Sequence, residues 1–322
     1  MTSPRKLIIM LIEQGSITVD NIDEALRATQ VAPDIKTWRT FIDHLLLWLG
    51  GLALVFSGLF FIAYNWNEIG RFAKFGSVEI CVVLAVIAFC KLGQSTISGK
   101  VSIFMAAIFL GVLLALYGQT YQTGADLWQL FFNWALLILP WVFIGRFPAM
   151  WILWILLINL SVVLYFQEFR GVLWLMLGSM DMLWLVFLVN TVALIAWEFL
   201  ARKWSWLSER WAIRLLAVGS GVSITWLALH AILDNRSTEI GAGLVWLTWL
   251  AALYFIYRKV KPDLFMLAGG CLSGTVVLIV LLSKHLLKGW AAGSFLFLAL
   301  LIIGLGAGAA VWLRDVHREL ES

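Results

Sequence analysis

Two polar stretches interrupt an otherwise apolar chain, and they carry most of the side chains able to do chemistry. The first reads Asn65-Trp66-Asn67-Glu68, followed by Arg71 and Lys74, so that amides, a carboxylate and two cations fall within ten residues. The second runs from Tyr117 to Trp128. It holds seven hydrogen-bonding side chains besides Trp, among them Gln119, Tyr121, Gln122 and Asp126, and no basic residue. Asn133 follows two turns into the next apolar run and is expected to find a partner or line a cavity. Side chains of these types suit a small polar ligand or a polar docking surface. Glu79 and Asp181 stand inside or at the edge of apolar runs. A charge at membrane depth costs about 2.5–3.5 kcal/mol on insertion scales, which makes each a candidate proton or cation site. The structural alternatives are an ion pair of Glu79 with Arg71 or Lys74, and a helix cap for Asp181. Glu68 and Asp126 would form a carboxylate pair if their two loops met, the minimum for acid–base work on a lipid-linked substrate.

Reaction motifs are otherwise lacking. The sequence has no HExxH, no GxSxG and no Gly-rich phosphate loop, and its loops are too short for a nucleotide-binding domain. Cys81, Cys90 and Cys271 lie singly in apolar runs, and His44, His230, His285 and His317 are not at ligand spacing, so no metal or other cofactor is expected. His230 stands beside Asp234, Asn235 and Arg236 and reads as a hydrated interfacial residue. Glu198 with Arg202 and Lys203 reads as an ordinary helical anchor of i, i+4 type.

Composition defines the elements that must position these residues. Of 322 residues, 62% are hydrophobic and 13% charged. Soluble domains carry about twice that charge, so the chain belongs in a lipid bilayer. The 19 Trp residues suit membrane interfaces. Apolar runs of about 20 residues predict ten spans, near 45–64, 73–90, 101–117, 127–145, 149–166, 179–200, 212–232, 241–257, 264–282 and 290–313. Residues 172–178 are apolar enough for a short re-entrant or interfacial piece. With the amino end inside, the inner segments hold seventeen Lys and Arg against six outside, which follows the positive-inside rule and places both termini in the cytoplasm. No secretory signal is visible, because the first long apolar run begins near Leu45. The expected fold is all-α: residues 1–43 a cytoplasmic helical hairpin, 44–313 a polytopic transmembrane bundle, and 314–322 a cytoplasmic tail.

In the hairpin, Lys6–Glu13 reads as a helix ended by Gly15, Thr18 or Asp20 caps a second, and Pro33 separates a third stretch, Ile35 to His44. Residues 1–40 hold five basic and five acidic residues, so no basic face meets nucleic acid. Late in the chain Gly270/Gly274, Gly289/Gly293 and Gly304/Gly308 repeat at four-residue spacing, which serves close helix packing inside the monomer or a homo-oligomer face.

Three segments carry a family resemblance. They are Leu11-Ile12-Glu13-Gln14-Gly15-Ser16-Ile17-Thr18; Asn65-Trp66-Asn67-Glu68-Ile69 with Arg71-Phe72-Ala73-Lys74; and Gly118-Gln119-Thr120-Tyr121-Gln122-Thr123-Gly124-Ala125-Asp126-Leu127 followed by Trp134-Ala135-Leu136-Leu137 and Pro140. Over about residues 1–145 the chain resembles the predicted bacterial membrane proteins of domain-of-unknown-function family 2157. That resemblance implies a bacterial inner membrane and a second multispan membrane protein as partner, and it brings no established activity. Three functions are therefore weighed. The first is a non-catalytic membrane subunit. The second is a transporter or flippase-like carrier of a small polar or lipid-linked molecule. The third and weakest is an enzyme embedded in the membrane. No motif of the first half recurs in the second, so an inverted repeat has no support.

Overall fold

The structure is a computed structural model, and it describes residues 4–16, 21, 34–65, 67–122, 124–168, 179–233, 240–286 and 292–321. The described residues form helices and no strand. In hydrocarbon every backbone N–H and C=O must be satisfied within its own segment, and the helix does this locally. Among the described residues ten helices are long and apolar enough to cross a membrane. In chain order, α1 is Pro4–Glu13, α2 Ile35–Tyr64, α3 Arg71–Leu92, α4 Ile97–Tyr121, α5 Leu127–Gly145, α6 Pro148–Glu168, α7 Ser179–Leu200, α8 Arg210–Leu233, α9 Ile240–Phe255, α10 Leu264–Leu286 and α11 Ala292–Glu321. A π-helical turn, Ile256–Val260, extends α9.

All ten expected spans are present, most a few residues longer than the apolar runs alone indicate. α1 ends as expected, with Gly15 at φ +69°. The expected second amino-terminal helix lies outside the described residues except for Asn21, and so does the 172–178 piece. The stretch from Ile35 is no separate element. It continues unbroken through residues 43 and 44 into the first span, capped at its start by Asp34 Oδ1, which accepts from the Ile35 N–H at 2.7 Å.

The chain divides into two compact units, residues 1–116 with 318–322, and residues 117–317. In the first unit, Val55 and Ile62 of α2, Val78 of α3 and Phe109 and Leu116 of α4 form the core. Gly51 permits the approach of α2 to α4, since a Cβ there would sit 2.8 Å from Val101.

The second unit is organised around α8, which packs against α7, α9 and α10. Ile213, Leu216, Ile224 and Leu227 repeat at helical spacing and bury its apolar faces. Interleaved polar groups tie the neighbours. Ser220 Oγ shares a 2.7 Å hydrogen bond with Thr191 of α7 and accepts from Trp249 Nε1 of α9 at 3.1 Å. Thr225 and Trp246 both meet Ser273 of α10. Asn190 of α7 donates to Asn159 Oδ1 of α6 at 2.7 Å. α6 in turn ties to α5 through Trp154 Nε1 and the Ala135 carbonyl. Gly219 and Gly221 flank Ser220 and admit these partners: a Cβ would stand 2.7 Å from Asn190 Oδ1 and 2.9 Å from Trp249, respectively.

The glycine contacts predict a contrast. Gly219→Ala forces Asn190 off its bonds and should lose about 1–3 kcal/mol as overpacking. Gly243→Ala meets nothing within 4 Å and should be neutral or gain up to about 1 kcal/mol from helix propensity. Thermal unfolding in a mild detergent measures both, and equal transitions for the two variants would contradict the packing described.

Candidate functional site

The two polar stretches belong to different units, and each is held by local capping. In the first, Asn65 ends α2: its backbone N–H and its side-chain amide both donate to the Phe61 carbonyl, at 3.1 and 2.9 Å. The Glu68 and Ile69 N–H groups return to the Asn65 carbonyl, closing a tight turn. Trp66 lies outside the described residues. Glu68 and Arg71 are exposed, whereas Lys74 is buried, at 6% exposure. Glu79, nine residues into α3, is exposed. Among the described residues it makes no ion pair, so the expected partnership with Arg71 or Lys74 is not formed.

In the second stretch, Gln119 and Tyr121 lie exposed on the last turn of α4, where the Tyr117 and Tyr121 rings meet at 4.9 Å. Gln122 turns the chain with φ +44° and Gly124 continues it at +64°. Asp126 occupies the N-cap position of α5, yet its carboxylate accepts from Trp128 Nε1 at 3.2 Å instead of from the helix backbone. Asn133 departs from expectation. It is exposed and has no hydrogen-bond partner among the described residues, so it neither pairs nor lines an interior cavity of α5. The reason is rotational: the buried stripe of α5 is Ala135, Ile138, Val142 and Gly145, and two residues of helix put Asn133 about 160° away from Ala135. Asp181 falls in the first turn of α7, where a negative charge suits the helix dipole. His230 is part-buried, and its neighbours 234–236 lie outside the described residues.

The most developed polar constellation is elsewhere. At one end of the second unit the end of α7, the start of α8, the π turn and the start of α10 bring together Glu198, Arg210, Arg214, Tyr257, Lys261 and Asp263. Asp263 is almost wholly buried and receives a two-pronged contact from Arg214, at 3.2 and 3.3 Å, with Arg210 at 3.7 Å. Its Oδ1 also accepts from the Phe265 N–H at 3.1 Å, capping α10. Glu198 accepts from the Tyr257 hydroxyl at 3.0 Å, meets Arg210 at 3.5 Å and pairs with Lys261. Arg210 thus bridges both carboxylates. The π turn makes this possible, because its wider winding turns Tyr257 inward and delivers Lys261 to Glu198.

This arrangement corrects the reading of Glu198 as an anchor for Arg202 and Lys203. Arg202 instead lies over the Phe199 ring at 5.5 Å. The signal was present in Arg210 and Arg214 at i, i+4 and in Asp263 after Pro262, a helix-start pattern. Chemically, each carboxylate is shared between donors on other helices, which is the geometry of a clamp on helix ends. Among the described residues no group of three or more His, Cys, Asp and Glu is placed to hold a metal.

Removing one partner of a buried ion pair costs about 3–5 kcal/mol. Arg210 and Arg214 retain water on roughly a third or more of their side chains, so Asp263→Ala should lose about 2–3 kcal/mol after screening. Arg202→Gln should lose less than about 0.5 kcal/mol, as surface changes do. Denaturant titration in detergent compares the two, and a near-neutral Asp263→Ala would remove the clamp from the account.

Comparison with curated proteins and with solved structures finds no significant match. Residues 10–151, which span the end of α1 to the start of α6 and include both polar stretches, match the family described as predicted membrane protein (DUF2157), so the likeness drawn from the amino-terminal motifs holds over that segment.

Proposed function

We propose that the chain is a non-catalytic membrane subunit that packs against a second multispan membrane protein in a bacterial inner membrane. The observation that carries this reading is Glu79, an exposed carboxylate within a membrane-spanning helix. It lies about 12 Å along α3 from Arg71 by helical rise. Ionisable groups at such depth face a protein partner or a water-filled path, because hydrocarbon penalises them. α11 supports the same reading. Only 6% of its apolar window is buried, and a Cβ at Gly304, Gly306 or Gly308 would meet nothing within 4 Å. In the earlier pair Gly270 is filled from within by Leu253 and Leu250 while a Cβ at Gly274 would meet nothing within 4 Å, so only half of that pair serves the monomer. Small residues are the surfaces by which membrane helices approach closely.

Transport has less support. The hydrogen-bonding groups inside the second unit are largely spent on one another, as in Thr191–Ser220–Trp249. The excess of basic residues in the amino tail and around residues 202–214 and 258–261 supports a cytoplasmic side for both termini.

The test is affinity purification of the full chain from its own membranes in a gentle detergent, with a photo-crosslinking residue in place of Glu79. A second membrane protein should co-purify at fixed stoichiometry and crosslink at position 79. Glu79→Lys should lower its recovery at least about tenfold, the equivalent of about 1.4 kcal/mol. Recovery of the chain alone, with crosslinks only to lipid, would overturn the reading.

A further inference from the structure

We infer that the groove between α7 and the extended α9 binds an anionic glycerophospholipid, with a tail along the groove and the phosphate at Arg202, beside the Lys261–Glu198 pair. The groove encloses about 310 Å³. From Thr191 at its deep end to Leu200 at the end of α7 is nine residues of helix, about 14 Å, with Arg202 in the turn just beyond. That is about half of a 30 Å hydrocarbon layer, the depth of one leaflet. Its walls are apolar and open to the membrane side: Ile195 is 51% exposed, Phe199 62% and Val260 55%.

The mouth has the opposite character. Segments 198–214 and 258–263 hold seven basic side chains against three acidic ones. Glu198 is already matched by Lys261 and Arg210. Arg202 is held over Phe199 by cation–π contact and makes no ion pair among the described residues. A guanidinium so placed presents its donor fork to a phosphate. An acyl-length apolar slot that ends at an excess of positive charge fits an anionic phospholipid better than a zwitterionic one.

This inference is independent of the partner reading, because it is scored on the isolated chain. The experiment is native mass spectrometry of the full-length protein with added phosphatidylglycerol or phosphatidylcholine of the same acyl chains. Phosphatidylglycerol should be retained at least about tenfold better, a difference within reach of one oriented charge pair. Arg202→Gln should reduce that preference at least about fivefold, and Ala252→Phe, which fills the groove wall without changing charge, should lower retention of both lipids. Unchanged thermal transitions certify that the variants are folded. Equal retention of the two lipids, or retention unaffected by either variant, would overturn the inference. Displacement of the lipid by millimolar glycerol phosphate would also overturn it, by exposing a simple anion site. Crosslinking of a second copy through Ile195→Cys would do the same by assigning the groove to a homo-oligomer.

Discussion

Ser220 has no exposed surface and joins three helices through one hydroxyl, hydrogen-bonded to the Thr191 hydroxyl and accepting from Trp249. A hydroxyl in hydrocarbon cannot fall back on water, so its partners must come from neighbouring helices. Two partners on different helices fix the rotation of α8 relative to both. The flanking Gly219 and Gly221 are what let Asn190 and Trp249 come close enough. Three consecutive small residues therefore set the geometry of the second unit, and the apolar side chains around them fill the space that results. Interhelical hydrogen bonds in membranes are individually modest, about 0.6 kcal/mol on average. Their contribution here is register and rotation more than energy.

The same constraint takes a different form where the helices leave the hydrocarbon. There the polar groups are charged, and the chain pairs them across four helix ends rather than leaving each to solvent. Arg210 is the shared element, since it touches both Glu198 and Asp263. Asp263 does two jobs with one carboxylate, pairing with arginines on α8 and capping α10. The π turn after α9 is the local distortion that makes the pairing possible. It shows why a short connection of basic residues, Arg258 to Lys261, is structurally specific and not only a topological marker.

The spans were legible because a run of about 20 apolar residues has few alternatives in any solvent. Their ends were less so. Residues 35–44 carry Lys36, Arg39 and Asp43 and look extramembranous by composition, yet helix propagation carries α2 through them once Asp34 has capped its start. Glu198 and Asp263 were visible as charges but not as partners, because Glu198 meets Lys261 63 positions later and Asp263 meets Arg214 49 positions earlier. No local spacing encodes such contacts. Asn133 shows the remaining difficulty. Its depth follows from sequence, but which way it faces depends on which stripe of α5 the bundle buries.

These distinctions separate two sorts of polar group within the apolar runs. Asn159, Asn190, Thr191, Ser220, Thr225 and Ser273 are satisfied by other helices of the chain and account for its own assembly. Glu79 and Asn133 are exposed, with no partner among the described residues, and the glycines of α11 present an open backbone surface. The hydroxyls and amides named here are spent on one another, which leaves less in the described part of the second unit to carry a substrate. Groups left at the chain's perimeter, costly against lipid, gain most from another protein. The proposed subunit role rests on that asymmetry, whereas the lipid groove rests on an apolar slot that opens outward and ends in positive charge.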